Sequence, residues 1–151
     1  MSTATDVVTI EPALPADEAG IRQLLQQADL PHEDFAAHLA HFLVARQGGA
    51  IVGAIGFELH GRNALLRSLV VAPDWRGDGL GGALLRRVEG EAQRQGVHHF
   101  YLLTTAAEKF FARRWFQKIP RNSVPPAVAE TPEFQRLCPA SAVCMTRPVR
   151  P

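Results

Sequence analysis

Arg76-Gly77-Asp78-Gly79-Leu80-Gly81-Gly82 sets one arginine and four glycines at the mouth of a helix-forming segment. The first backbone N–H groups of a helix have no internal partners and sit at the positive end of its dipole. Glycines let an anion approach that backbone closely and allow left-handed dihedrals. This is chemistry for a diphosphate, with Arg76 as an added positive charge. A P-loop would end in lysine and serine or threonine, and this turn does not. A dinucleotide turn would follow the first strand of a βαβ unit, with an acid roughly 20 residues on. Here the turn follows about the fourth strand.

Other residues could act on a bound molecule. Arg67 interrupts the apolar run Leu65-Leu66-Arg67-Ser68-Leu69. A buried arginine needs an anionic or hydrogen-bonding partner. Either its fork holds the carboxylate of a bound molecule through two hydrogen bonds, or it makes a structural salt bridge. The pattern favours neither. Glu58 reads first as a solvated strand-end glutamate and second as a base acting through water. Arg113 and Arg114 read as surface cations on a helix, and Arg121 opens the long final loop. The six histidines show no metal-ligand spacing, and no metal is expected. Cys138 and Cys144 read as reduced, buried thiols. A strained or metalloid-bridging pair is the lesser reading.

These residues need elements to position them. Val7 to Ile10 reads as a first strand and Ala16 to Ala28 as a helix with Ile21, Leu24 and Leu25 on one face. A shorter helix is expected over Phe35 to Ala40. Phe42 to Arg46 and Ala50 to Leu59 form a hairpin through Gln47-Gly48-Gly49, and Asn63 to Val71 is a further strand ended by Pro73. The helix after the glycine turn carries Leu80, Leu84, Leu85, Val88 and Ala92 as an apolar stripe and ends at Gly96. Phe100 to Leu103 is a strand, Ala106 to Phe116 a helix and Lys118 to Pro120 a short strand. A helix near Thr131, with Pro132 at its first position, and a last strand over Ala142 to Thr146 follow. The order predicts an α/β fold: a mixed, mostly antiparallel twisted sheet of about six to seven strands with about four helices, in one domain over residues 1–151.

Composition narrows the partners. The chain has 151 residues, 46% hydrophobic and 21% charged, with a formal net charge of +1. That argues against bulk attraction to nucleic acid or to an anionic membrane. Met1 to Glu11 lacks a basic region followed by an apolar run, so a cytoplasmic chain is expected. No stretch reaches the roughly 18–20 apolar residues of a membrane span.

The segment 76–81 resembles the Arg/Gln-x-x-Gly-x-Gly/Ala signature of GNAT acetyltransferases, and Val70-Val71-Ala72-Pro73 matches the apolar strand before it. Thr104-Thr105, Phe110-Phe111 and Arg114-Trp115-Phe116 are similar to amino-acid acetyltransferases of the N-acetylglutamate synthase type. The tail, from Arg121 through Val124-Pro125, Thr131-Pro132-Glu133-Phe134 and Leu137 to Ala142, looks like the acetyltransferases encoded in arsenic-resistance operons. The resemblance implies acetyl-CoA as acetyl donor, held by Val70, Val71, Arg76 to Gly82, Thr104, Phe111 and Arg114. It implies backbone amides at Leu69 or Val70 that polarise the thioester carbonyl. The acceptor implied is a small amine or amino-acid-like molecule, such as glutamate or an arsenical or phosphinic analogue, with Arg67, Ser68, Arg121 and Ser141 as its candidate contacts. A protein N-terminus or lysine would need an open groove, and the loop from Ser123 to Pro139 is expected to cover it. A homodimer is left open. The family's usual tyrosine acid falls on Phe111, and Trp115 stands at a glycine position. Tyr101, the single tyrosine, reads either as a catalytic acid or as a core residue. The missing tyrosine keeps a second reading open, an acetyl-CoA or amino-acid sensor with weak turnover.

Overall fold

The computed structural model describes residues 7–150. The part of the amino-terminal reading that falls on Met1 to Asp6 lies outside the described residues, as does Pro151. Among the described residues the seven strands are β1 (Thr9–Pro12), β2 (Phe42–Gln47), β3 (Ala50–His60), β4 (Asn63–Val71), β5 (His99–Thr104), β6 (Gln117–Lys118) and β7 (Val143–Pro148). They form one sheet in the order β1-β2-β3-β4-β5-β7-β6. The helices are α1 (Glu18–Gln27), α2 (Leu80–Arg94), α3 (Glu108–Ala112) and α4 (Pro126–Ala129). β4 and β5 pair in parallel, while β1–β2, β2–β3, β5–β7 and β6–β7 are antiparallel. The mixed, mostly antiparallel sheet is the expected one.

The chain divides into two compact units. One comprises residues up to Phe57 together with Ser68–Glu91. Its β2–β3 hairpin turns at Gly48, whose φ of 59° favours glycine. Ile21, Leu24 and Leu25 of α1 pack with Phe35, Phe42, Val44, Ala54 and Val70. At Gly53 a Cβ would lie 3.1 Å from Leu84 Cδ1 and 3.2 Å from the Val70 carbonyl, so a bare strand position lets α2 pack closely. Arg46 crosses to β1 and beyond, binding Glu11 Oε1 at 2.7 Å and Asp17 Oδ2 at 2.9 Å.

The other unit comprises Glu58–Arg67 and the residues from Ala92 on. Here β5 pairs with β7 from His99↔Pro148 to Thr104↔Val143. Leu65, Val124, Val128, Phe134 and Cys144 form the core, with Tyr101, Leu103, Ile119 and Ala129 packed against it.

Local differences from the sequence reading cluster at helix ends. Phe35–His41 is a 3-10 stretch kinked at His38, not an α-helix. The helix read over Ala106 to Phe116 is only the five residues of α3. It ends where Phe116 N donates to Phe111 O at 3.1 Å and Trp115 takes a left-handed φ of 74°. That is the capping geometry in which glycine usually stands. The helix read from Thr131 is a π turn, Glu133–Leu137, preceded by Pro132. Thr131 Oγ1 donates to the Val128 carbonyl at 2.8 Å, closing α4.

Candidate functional site

In the first unit, β4 runs into a 3-10 turn at Pro73–Trp75, then into Arg76–Gly79 and α2. Gly77 and Gly79 have φ of 87° and 83°, and an added Cβ at either would meet nothing within 4 Å. The turn's backbone is therefore open to an approaching group on that side, and it fits a diphosphate. Arg76 is exposed, and its Nε donates to the Val71 carbonyl at 3.0 Å. The loop is shorter than its seven-residue motif. Leu80, Gly81 and Gly82 already belong to α2, whose first turn supplies amides rather than loop conformations. Asp78 is exposed.

Upstream, Ser68 sits in mid-strand with φ of 63°. A left-handed serine inside a strand breaks its regular dihedrals. The registered pairing of β4 with β5 covers Asn63–Leu65 and His99–Tyr101, three residues short of this break. Leu69 and Val71 follow it half-buried, while Val70 is 5% exposed and belongs to the core.

In the second unit, Arg67 has a side chain 0% exposed. Its Nη1 donates to Glu58 Oε2 at 2.7 Å, and its Nη2 lies 3.2 Å from Glu133 Oε2. Of the two readings of Arg67, the structure displays salt bridges, and with two partners. Glu58 is 1% exposed, which corrects the solvated strand-end reading: its carboxylate is buried because Arg67 compensates it. His60 Nε2 stands 3.3 Å from Glu58 Oε1 and is the partly exposed edge of the cluster. Glu133 was missed by sequence reasoning. It is separated from Arg67 by most of the chain's second half, and it stands among other polar residues, Glu130, Gln135 and Arg136, so nothing local marks it.

The remaining candidates hold local structure. Arg121 donates to the carbonyls of Pro139 at 2.7 Å, Phe134 at 2.9 Å and Cys138 at 3.3 Å. Thr104 Oγ1 accepts from Ala107 N at 2.9 Å in the turn that leads into α3. Arg114 donates to the Phe110 carbonyl and lies 3.7 Å from the centre of its ring. Phe111 is buried between Phe110 and Phe116. Tyr101 is half-buried against the apolar cluster, and Ser141 is exposed.

The thiols are held neutral. Burial pushes Cys138 up to about 12, with Glu133 adding to the effect, and burial pushes Cys144 up to about 11. Among the described residues no group of three or more His, Cys, Asp or Glu could hold a metal ion. No helix among them is long and apolar enough to cross a membrane.

Residues 11–119 match the model of the acetyltransferase (GNAT) family, and the chain belongs to that family. It is 31% identical over 134 residues to an amino-acid acetyltransferase of Ralstonia nicotianae, covering 83% of this chain and 30% of that one. It is 31% identical over 130 residues to one of Ectopseudomonas mendocina, covering 84% and 29%. The chain thus spans under a third of the length of these curated relatives. Its fold is that of N-acetylglutamate synthase from Neisseria gonorrhoeae, solved with coenzyme A and N-acetyl-glutamate, at TM-score 0.82 and 19% identity over 96% of this chain and 36% of that one. A Mycobacterium tuberculosis protein solved with CoA and NLQ matches at TM-score 0.79 and 21% identity, over 94% and 99%.

Proposed function

We propose that the chain is a single acetyltransferase domain that moves the acetyl group of acetyl-CoA to the amine of a small amino-acid-like molecule. The observation that carries this is the open, left-handed turn at Gly77 and Gly79 running into the first amides of α2. Those amides and Arg76 bind the diphosphate. Acetyl-CoA supplies an acetyl thioester already activated toward amines, so no covalent enzyme intermediate is required. Backbone amides at Leu69 and Val70 serve to polarise the thioester carbonyl, the kind of fixed donor that stabilises a developing oxyanion.

The curated relatives named as amino-acid acetyltransferases support an amino-acid-like acceptor. The tail resemblance extends the acceptor class to phosphinic and arsenical glutamate analogues. A carboxylate on that acceptor suits Arg67. Phe111 carries no hydroxyl at the position where the family places its acid, and this favours, as the second reading, a sensor that binds acetyl-CoA with weak turnover. One experiment separates the two. Release of CoA thiol is followed with a panel of amino acids, glutamate analogues and simple amines, beside acetyl-CoA calorimetry. Binding with turnover on one acceptor class supports the enzyme. Binding without turnover on any acceptor supports the sensor, and no binding removes both.

A further inference from the structure

Two carboxylates share one buried guanidinium. Glu58 comes from β3 and holds Nη1 at 2.7 Å. Glu133 comes from a five-residue π turn and reaches Nη2 at 3.2 Å. The longer contact belongs to the less regular element. That turn lies in the connection from β6 to β7, residues 119–142, which holds no regular element longer than five residues. Long connections of this kind are commonly functional. Val124, Val128 and Phe134 fasten this strap to Leu65, which lies two residues before Arg67 on β4 and so on the same face.

We propose that Glu133 occupies the guanidinium nitrogen of Arg67 that a substrate carboxylate takes, so that carboxylate-bearing acceptors bind by exchange with Glu133 and release the strap. The proposal rests on the acetyltransferase reading for the meaning of "acceptor", but not for the exchange itself. Exchange replaces one carboxylate by another, so the buried charge is unchanged while Glu58 keeps its hold. A displaced Glu133 becomes hydrated. An amine without a carboxylate offers Arg67 Nη2 no acceptor in exchange for Glu133, and an unmade hydrogen bond at a buried charged donor is costly. Glu133 is then a specificity-determining residue, an internal competitor that admits only acceptors with an anionic group. Arg121 belongs to the same connection, and its hydrogen bonds to the Phe134, Cys138 and Pro139 carbonyls tie the strap together as one piece.

Cys138 reports on the exchange. Its thiol is half-buried, and Glu133 is a hydrogen-bond partner that burial reinforces in keeping it protonated. Releasing the strap frees the thiol from both restraints. Alkylation of Cys138 by iodoacetamide, read by mass spectrometry to separate it from Cys144, is measured with L-glutamate, phosphinothricin and butylamine. The first two should accelerate Cys138 labelling about tenfold, and butylamine should not. Glu133→Gln leaves a neutral Glu58–Arg67 pair and should label fast with no ligand. It should also lower KM for a carboxylate-bearing acceptor about five- to tenfold with kcat kept, and leave KM for butylamine unchanged, because removing an internal competitor raises the competent fraction. Unchanged labelling with a carboxylate acceptor that is nevertheless acetylated overturns the proposal. So does equal labelling of wild type and Glu133→Gln. If Glu133→Gln does not fold, Glu133→Asp keeps the charge but shortens its reach; labelling above wild type supports the latch and labelling at the wild-type rate overturns it. Absence of acetylation on every amine would remove the enzymatic reading alone, since labelling by carboxylates judges the exchange without acetyl-CoA.

Discussion

Glu133 Oε2 stands 3.2 Å from Arg67 Nη2 although the two residues come from different segments of the second unit's sequence. Because Arg67 also binds Glu58, it neutralises one of two buried carboxylates and lies within ion-pair distance of both. Arg67→Met would leave Glu58 and Glu133 without their cation. Loss of one partner from a buried ionic group costs about 3–5 kcal/mol. Urea unfolding should show a loss of that size. The triple variant Arg67→Met, Glu58→Gln, Glu133→Gln removes the stranded charges and should recover most of it. Equal stability of the single and triple variants would mean that the cluster carries no electrostatic stress.

The glycine cradle yields a second prediction. Valine at Gly79 would confound binding with strain, because φ of 83° is hostile to a β-branched residue. Asparagine tolerates that region and places its side chain in the open space above the turn. Gly79→Asn should fold and lose acetyl-CoA affinity by at least about tenfold, one diphosphate contact being worth roughly 1.5–3 kcal/mol. Calorimetry on the folded variant checks this. Undiminished affinity would take the diphosphate away from the turn.

How much of this was legible in the sequence follows from range. Strands β2 to β4, the Gly48 turn, the start of α2 and its stop at Gly96 depend on local periodicity and on glycine dihedrals, so they could be read directly. The partners of Arg67 could not. Its isolation within an apolar strand announced that a carboxylate was needed, and nothing local told whether a bound molecule or the chain supplied it. Glu58 looked solvated for the same reason, since its burial depends on the Arg67 side chain from β4. The short α3 was misread because helical spacing continues to Phe116, whereas the left-handed Trp115 turns the chain earlier.

Trp115 itself gives a stability prediction. It is 72% exposed, so its ring gains little from burial. Its φ of 74° costs a non-glycine residue about 1–2 kcal/mol. Glycine escapes that cost and gives back part of the gain as unfolded-state entropy. Trp115→Gly should therefore stabilise the chain by about 0.5–1 kcal/mol in thermal or urea unfolding. A destabilised variant would show that the indole has a contact that its exposure conceals.

Acid sensitivity should centre on Asp17. Its hydrogen bond to Arg46 is the main cause holding its pKa below the ordinary 3.8, against an opposing effect of burial. A carboxyl depressed in the folded state stabilises fully above its unfolded pKa, and that contribution is lost as pH falls through the folded value. Asp17→Asn should cost about 1.5–3 kcal/mol at pH 7, the worth of a charge-assisted hydrogen bond. The gap between wild type and variant should close below about pH 4. Urea midpoints at pH 7 and pH 3 measure it, and a gap that is constant with pH would assign the effect to shape rather than charge.

The cysteines are the last test of mechanism. An acetyl thioester needs only an attacking amine, and a thiol nucleophile would have to ionise near neutral pH to compete. Burial pushes Cys138 up to about 12 and Cys144 up to about 11, so both remain protonated there. Serine at 138 can still donate a hydrogen bond to Glu133, and serine at 144 replaces a small buried thiol by a hydroxyl. Cys138→Ser should keep kcat within about threefold; Cys144→Ser should do the same once its fold is confirmed, because the buried hydroxyl costs about 1–3 kcal/mol of stability. A fall in kcat beyond about 10²-fold with stability unchanged, in either variant, would require a covalent or proton-donating thiol and would overturn direct transfer.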